Sequence, residues 1–207
     1  MVPLCIIHNR WNKTLTQEQI IEGCRQGDNA ARRALYQHYA PLMLGVVRRY
    51  VSERATAEDL LHDGFVTLYT KIGDWRGEGP FDAWCRRIFV NTALSFLRKR
   101  SNLGADEDIS ELPPGRIEGV APQALERLSA EELRQAIESL PDGYRTVLNL
   151  YAVEGYSHAE IGQMLGISET TSRSQYIRAK ARLAAKLGIA DTKTTKTKNN
   201  NDTDERG

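Results

Sequence analysis

Residues 157–183, SHAEIGQMLGISETTSRSQYIRAKARL, leave the chain few structural options. Ser157 followed by Glu160 is a capping box, so HAEIGQML starts as a helix at His158. Gly166 supplies a turn, because glycine reaches positive φ without a steric penalty. Ser168 then caps a second helix, with Glu169 beside the positive end of its dipole. Gly162 is small enough to let that second helix cross closely, and Ile161, Leu165 and Ile167 tuck under the crossing. Two helices joined by so short a turn make a helix-turn-helix.

The second helix is poor in apolar surface. It opens with hydroxyl residues and continues with cations spread around its circumference, which suits a helix whose polar side enters the DNA major groove. Thr170, Thr171, Arg173 and Ser174 come early enough to reach base edges, where arginine forks onto guanine and hydroxyls meet varied acceptors. Arg178, Lys180, Arg182 and Lys186 are placed to meet phosphates, while Tyr176 and Leu183 anchor the helix from behind. A plain helical hairpin with a solvated outer face is the competing reading. The caps and glycines occurring together favour the DNA reader.

Net charge hides this pattern, because the 207-residue chain sums to only +1. From Arg76 to Arg100 there are six basic and two acidic residues, a net of +4. From Ser101 to Glu132 there are eight acidic and two basic, a net of −6; from Ser168 to Leu187, five basic and one acidic, again +4. Two basic blocks around an acidic one predict two polyanion contacts joined by a segment that avoids the polyanion.

Little points to catalysis. Cys5, Cys24 and Cys85 are too far apart for a paired metal or redox motif and fit a reducing cytoplasm. His8, His38, His62 and His158 form no ligand-spaced cluster, so neither a metal nor another cofactor is expected. No nucleophile or phosphate loop stands out. VPLCII near the start is too short for a secretory core, and no apolar run reaches the roughly 20 residues that span a bilayer, so a cytoplasmic protein is expected.

The rest reads as helix too. Thr16 and Gln19 box the start of TQEQIIEGCRQG, which Gly27 ends. DNAARRALYQHYAPLMLGVVRRYV carries Leu35, Tyr39, Leu42, Val46 and Tyr50 on one stripe, with Pro41 expected to kink it or mark a boundary. TAEDLLHDGFVTLYTKI follows, with Thr56 as its expected cap and Leu60, Leu61, Phe65, Leu68 and Ile72 inward. GDWRGEGP is a loop, and FDAWCRRIFVNTALSFLRKR is a fourth helix with a basic end. Later, Ser129 and Glu132 box SAEELRQAIESL, Pro141 ends it, and DGYRTVLNLYAVEG stops at Gly155. The expected architecture is all-α: an N-terminal extension (1–15), a helical domain (16–100), a flexible acidic linker (101–124), a second helical domain (125–187) and a disordered polar tail (188–207).

LPDGYRTVLNLYAVEGYSHAEIGQMLGISETTSRSQYIRAKARL resembles region 4 of bacterial sigma factors along its whole length. AEDLLHDGFVTLY and FDAWCRRIFVNTALSFLRKR resemble sigma region 2. Two such domains and a short linker look like the extracytoplasmic-function group. The acidic-helix motif departs from the usual Asp-Leu-x-Gln-Glu, reading Asp59-Leu60-Leu61-His62-Asp63. In the recognition helix, Ser172 stands where an aliphatic residue is usual and Gln175 where a base is frequent, departures that bear on promoter preference.

The resemblance implies a protein that lends promoter specificity and strand opening to RNA polymerase and is not itself an enzyme. Its partners would be core polymerase, promoter DNA and an anti-sigma protein. Asp59, His62 and Asp63 would dock onto the clamp of the largest polymerase subunit, an acidic ridge against a basic coiled coil. The second domain would read the minus-thirty-five duplex, and the fourth helix would hold the opened minus-ten strand. Arg76, Gly77, Glu78 and Phe81 would lie near an extruded base, with Asn91, Arg98 and Arg100 along the strand. Trp84, Ile88 and Phe96 read as core at their helical spacing, and Trp75 fits either role. An autonomous helix-turn-helix repressor and a helical adaptor or antagonist are the competing classes. The first would bind duplex tightly without polymerase; the second would not need DNA.

Overall fold

The computed structural model describes residues 16–100 and 129–188; the expected extension, linker and nearly all of the tail lie outside them. Every regular element among the described residues is helical. In the first lobe, α1 (Gln17–Arg25) starts at the Thr16–Gln19 capping box and α2 (Asn29–Val47) at the Asp28 side chain, which accepts from the Ala30 amide. Then come α3 (Arg54–Lys71), a 3-10 turn (Ile72–Asp74) and α4 (Phe81–Arg100). Leu35, Tyr39, Val46, Tyr50, Leu60, Leu61, Phe65, Leu68 and Ile72 are buried in one core. Gly64 lets α4 approach α3: a Cβ there would stand 2.4 Å from the Phe89 ring.

Two expectations change. Of the two roles expected for Pro41, that of a boundary is not taken, because α2 runs through it. The proline is exposed, and so is Gln37, so water can serve the carbonyl that the missing amide leaves open. Thr56 is not a cap either. The helix begins earlier, with Glu53 at the cap position, and the Thr56 hydroxyl donates to the Glu53 carboxylate at 2.7 Å. The Arg54–Glu58 pair, 2.7 Å across one turn, supports the added residues.

The second lobe holds α5 (Ala130–Glu138), α6 (Asp142–Leu148), one wide π turn (Asn149–Val153), α7 (His158–Leu165) and α8 (Glu169–Lys186). Both expected capping boxes form, at Ser129–Glu132 and Ser157–Glu160. Gly166 closes α7 at φ 71°, and a Cβ on Gly162 would stand 2.8 Å from the Ile167 carbonyl oxygen, so the α7–α8 crossing requires glycine there. Leu140, Tyr144, Leu148 and Ala179 make a small core of their own.

The lobes pack on each other. Val147, Leu150, Ile161 and Leu165 join the buried cluster of the first lobe. Around that contact, Asn149 Nδ2 donates to the Arg49 carbonyl at 2.9 Å and Arg145 Nη2 to the Tyr50 carbonyl at 3.2 Å. Arg86 forks onto Glu154.

Candidate nucleic-acid interface

The α7–α8 pair is assembled as its caps and glycines require. Ser168 accepts from the Thr171 amide at 3.0 Å, and the α8 residues that face inward are Ser172, Gln175 and Ala179. Thr170, Arg173 and Arg182 are exposed; Thr171, Ser174, Arg178 and Lys180 are half-buried at the flanks. Arg173 pairs back to Glu169 one turn earlier, with Nε 3.1 Å from the carboxylate. Lys180 sits 4.7 Å over the Tyr176 ring of the same helix, and Arg182 reaches across to α6, 5.3 Å over the Tyr144 ring. Lys186 is exposed at its end.

Ser172 and Gln175 do not bear on groove readout directly, because both are buried. Ser172, 0% exposed, hydrogen-bonds His158 Nδ1 at 2.9 Å. Gln175 packs its amide against Gly143, where a Cβ would stand 3.5 Å from Nε2. The His158 ring nitrogen gives the Ser172 hydroxyl its partner, and Gly143 leaves room for the Gln175 amide. His158 also stacks on Tyr151 at 4.3 Å, and burial, followed by the Arg173 charge, holds its pKa below the usual histidine value.

In the first lobe, Arg76, Gly77 and Glu78 are exposed on the loop before α4, with Gly77 and Gly79 both at positive φ. Phe81 is not available to a base. It is 3% exposed, with its ring edge-on to Trp75 at 5.2 Å and to Tyr39 at 5.6 Å. An aromatic at the first position of α4 points into the bundle, and the inward rings give it better cover than solvent would. Trp75, Trp84, Ile88 and Phe96 are half-buried against the same core. Asn91 and Arg100 are exposed on α4. Arg98 is exposed too, but donates to the Met164 carbonyl of the other lobe at 3.0 Å. Arg87, which the sequence reading passed over, is exposed one turn before Asn91; the four-residue spacing was the available signal.

Asp59, His62 and Asp63 are all exposed on α3, and Val66, 53% exposed, continues their face by one more turn. The ridge is acidic and partly apolar. The described thiols have no such access: burial pushes Cys24 up to about 11 and Cys85 well above the usual thiol range. Among the described residues no group of three or more His, Cys, Asp or Glu could hold a metal ion, and no helix is long and apolar enough to cross a membrane.

A helical lobe with a basic α4, joined to a capped helix-turn-helix lobe, defines a DNA-binding protein of two parts. Two family models match it in that order, Sigma-70 region 2 over residues 35–103 and Sigma-70 region 4 over residues 130–183. The RNA polymerase sigma-H factor of Pseudomonas aeruginosa is 31% identical over 180 residues, covering 80% of this chain and 92% of the relative. The ECF RNA polymerase sigma-E factor of Haemophilus influenzae is 31% identical over 182 residues, covering 84% and 96%. Among solved structures, the sigma factor RpoE of Bartonella quintana, crystallised with the anti-sigma factor NepR, aligns with a TM-score of 0.48 at 20% identity, over 77% of this chain and 98% of that one. The chain belongs to the extracytoplasmic-function group of the sigma-70 family of RNA polymerase sigma factors. It directs RNA polymerase to promoter DNA.

Proposed function

We propose that the two lobes divide this work as two separate promoter contacts. The second lobe (125–187) reads the minus-thirty-five duplex with Thr170, Thr171, Arg173 and Ser174, and meets phosphates with Arg178, Lys180 and Arg182. The first lobe (16–100) holds the opened minus-ten strand. Arg76, Gly77 and Glu78 enclose an extruded base, while Asn91, Arg98 and Arg100 follow the backbone, with Phe81 acting as a staple beneath the loop. Asp59, His62 and Asp63 dock onto the clamp of core polymerase. The observation that carries this reading is the outward presentation of α8: its polar length faces solvent while Ser172, Gln175 and Ala179 are buried.

Each lobe alone offers few cations to a polyanion. Held together by polymerase, the second contact becomes effectively intramolecular, which raises avidity by about a hundredfold or more. The place of action is the cytoplasm, where polymerase meets DNA. An anti-sigma protein is the proposed regulator, on the family resemblance alone.

Reconstituted transcription with core polymerase and a randomised promoter library tests this. The wild-type chain should bind core and select start sites, and Asp63→Arg should lose core association while keeping its helical signal. Tight duplex selection without polymerase, and no start sites with it, would instead make the chain an autonomous regulator.

A further inference from the structure

Helix α1 carries none of the proposed DNA-contacting residues, yet two of its side chains brace the two ends of the loop between the 3-10 turn and α4: Arg25 where the loop begins, and Gln17 at the first turn of α4, just beyond where it ends. Arg25, at its last turn, donates from Nη2 to the Trp75 carbonyl at 2.5 Å and from Nε to the Ile72 carbonyl at 3.4 Å. Its guanidinium also lies 5.8 Å from the centre of the Trp75 ring. Gln17, at the first turn, donates from Nε2 to the Tyr39 hydroxyl at 2.9 Å and to the Asp82 carboxylate at 3.3 Å. The Tyr39 hydroxyl donates to the same Asp82 oxygen. One helix therefore holds both mouths of the loop, and the Trp75–Phe81 edge contact draws the mouths together.

The span between, Arg76 to Pro80, is built differently. Every residue in it is exposed, and a Cβ added at Gly77 or Gly79 would meet nothing within 4 Å. A free tip on a pinned base suits capture: the ends are ordered before the ligand arrives, so less conformational entropy is lost on binding. Arg25 is itself exposed, and its nearest carboxylate, Glu22, is 3.4 Å away, farther than the Trp75 carbonyl. Truncating it disturbs the loop more than the core.

We propose that Arg25 and Gln17 are positioning residues for minus-ten recognition, presetting the Arg76–Pro80 loop so that α1 contributes to the affinity for one extruded base. The proposal rests on the reading that this loop encloses that base.

The test uses holoenzyme assembled with the full chain and a fluorescent single strand selected from a randomised pool by the wild-type holoenzyme. Each nucleotide is replaced in turn by an abasic site. In wild type, one abasic position should weaken binding about tenfold, the scale of one stacked base. Arg25→Ala should weaken the intact strand by a similar factor, and the same abasic position should then cost nothing more. Gln17→Ala should erase the same penalty, and Arg25→Lys, which retains a donor for the Trp75 carbonyl, should restore part of it. Core association and upstream duplex binding should not change. An intact abasic penalty in Arg25→Ala and Gln17→Ala, or an equal loss at every position, overturns the role of α1. If Arg76→Ala and Glu78→Ala couple to no abasic position, the loop reading itself falls, and this proposal with it.

Discussion

Arg86 of α4 and Glu154, the residue that closes the π turn, stand 68 residues apart in sequence and meet fork to carboxylate, Nε to Oε2 at 2.5 Å and Nη2 to Oε1 at 2.6 Å. The Glu154 side chain is only 7% exposed, and Arg49 Nη1 lies 3.8 Å from its Oε1 as well. A nearly buried carboxylate between two guanidiniums cannot turn to water when one partner is lost. Replacing it with a neutral amide removes a charge-assisted bidentate contact of about 2 kcal/mol, a factor of about 30 in the balance between joined and parted lobes. Glu154→Gln should therefore expand the free chain, raising its radius of gyration in small-angle scattering without loss of helical signal. An unchanged radius would show that the apolar contact alone holds the lobes.

The same contact has to open on promoter DNA if the lobes play their proposed roles. Elements named minus-ten and minus-thirty-five lie about 25 base pairs apart, about 85 Å of B-form axis. A 20-residue helix such as α4 covers only about 30 Å, and its basic end is bonded to Met164 of the other lobe. Dyes on the α4 end and on α8 should transfer energy efficiently in the free chain and lose that transfer in the holoenzyme–promoter complex. Persistent transfer would contradict simultaneous engagement of both elements.

Arg173 and Arg182 should separate by phenotype. Arg173 is exposed at the start of α8, with Glu169 as its intrahelical partner, while Arg182 lies about two and a half turns nearer the end. Arg173→Ala should relax selection at one position of the upstream element, at a cost of about 1–3 kcal/mol. Arg182→Ala should weaken all sequences alike and reduce the salt dependence by about one ion. Selection from a randomised duplex at two salt concentrations distinguishes them. Unchanged selection by Arg173→Ala would remove that residue from base readout.

Gly162→Ala should destabilise the second lobe by about 1–3 kcal/mol, because the new methyl would meet the Ile167 backbone oxygen at 2.8 Å and backbone cannot swing aside. Gly45→Ala is the control: it is helical and open, with nothing within 4 Å of the added carbon, and should be neutral or mildly stabilising. Thermal unfolding monitored by circular dichroism reads both. Equal midpoints for the two variants would mean that the crossing is looser than its geometry.

Acid should weaken the α7–α8 crossing through His158. Burial and the Arg173 charge depress its pKa in the folded state, with Glu169 opposing and the Tyr151 and Tyr176 rings packed alongside. A depressed pKa means that the unfolded chain binds the proton more readily, so the contribution is full above about pH 6.5 and falls as pH drops through the folded value. Between about pH 7 and pH 5, wild type should lose more stability than His158→Gln. Parallel pH profiles would show that the Ser172 contact tolerates the charged ring.

Much of this molecule follows from local chemistry. The boxes at Thr16, Ser129 and Ser157, the Ser168 cap and the Gly166 turn depend on residues within four positions of one another, so the chain by itself determines where those helices begin and how α7 hands over to α8. The exposed acidic face of α3 follows from helical periodicity in the same way. The tertiary structure decided what periodicity cannot: which side of an amphipathic residue wins, and what lies across the gap. Phe81 turned inward because Tyr39 and Trp75 were there to receive it, and Ser172 and Gln175 could be buried where His158 offered a partner and Gly143 left room. Arg86–Glu154 and Arg25–Trp75 join positions 68 and 50 residues apart, and no local pattern marks either partner. Caps and turns are settled within a few residues of backbone, whereas a long-range pairing exists only after the helices have packed.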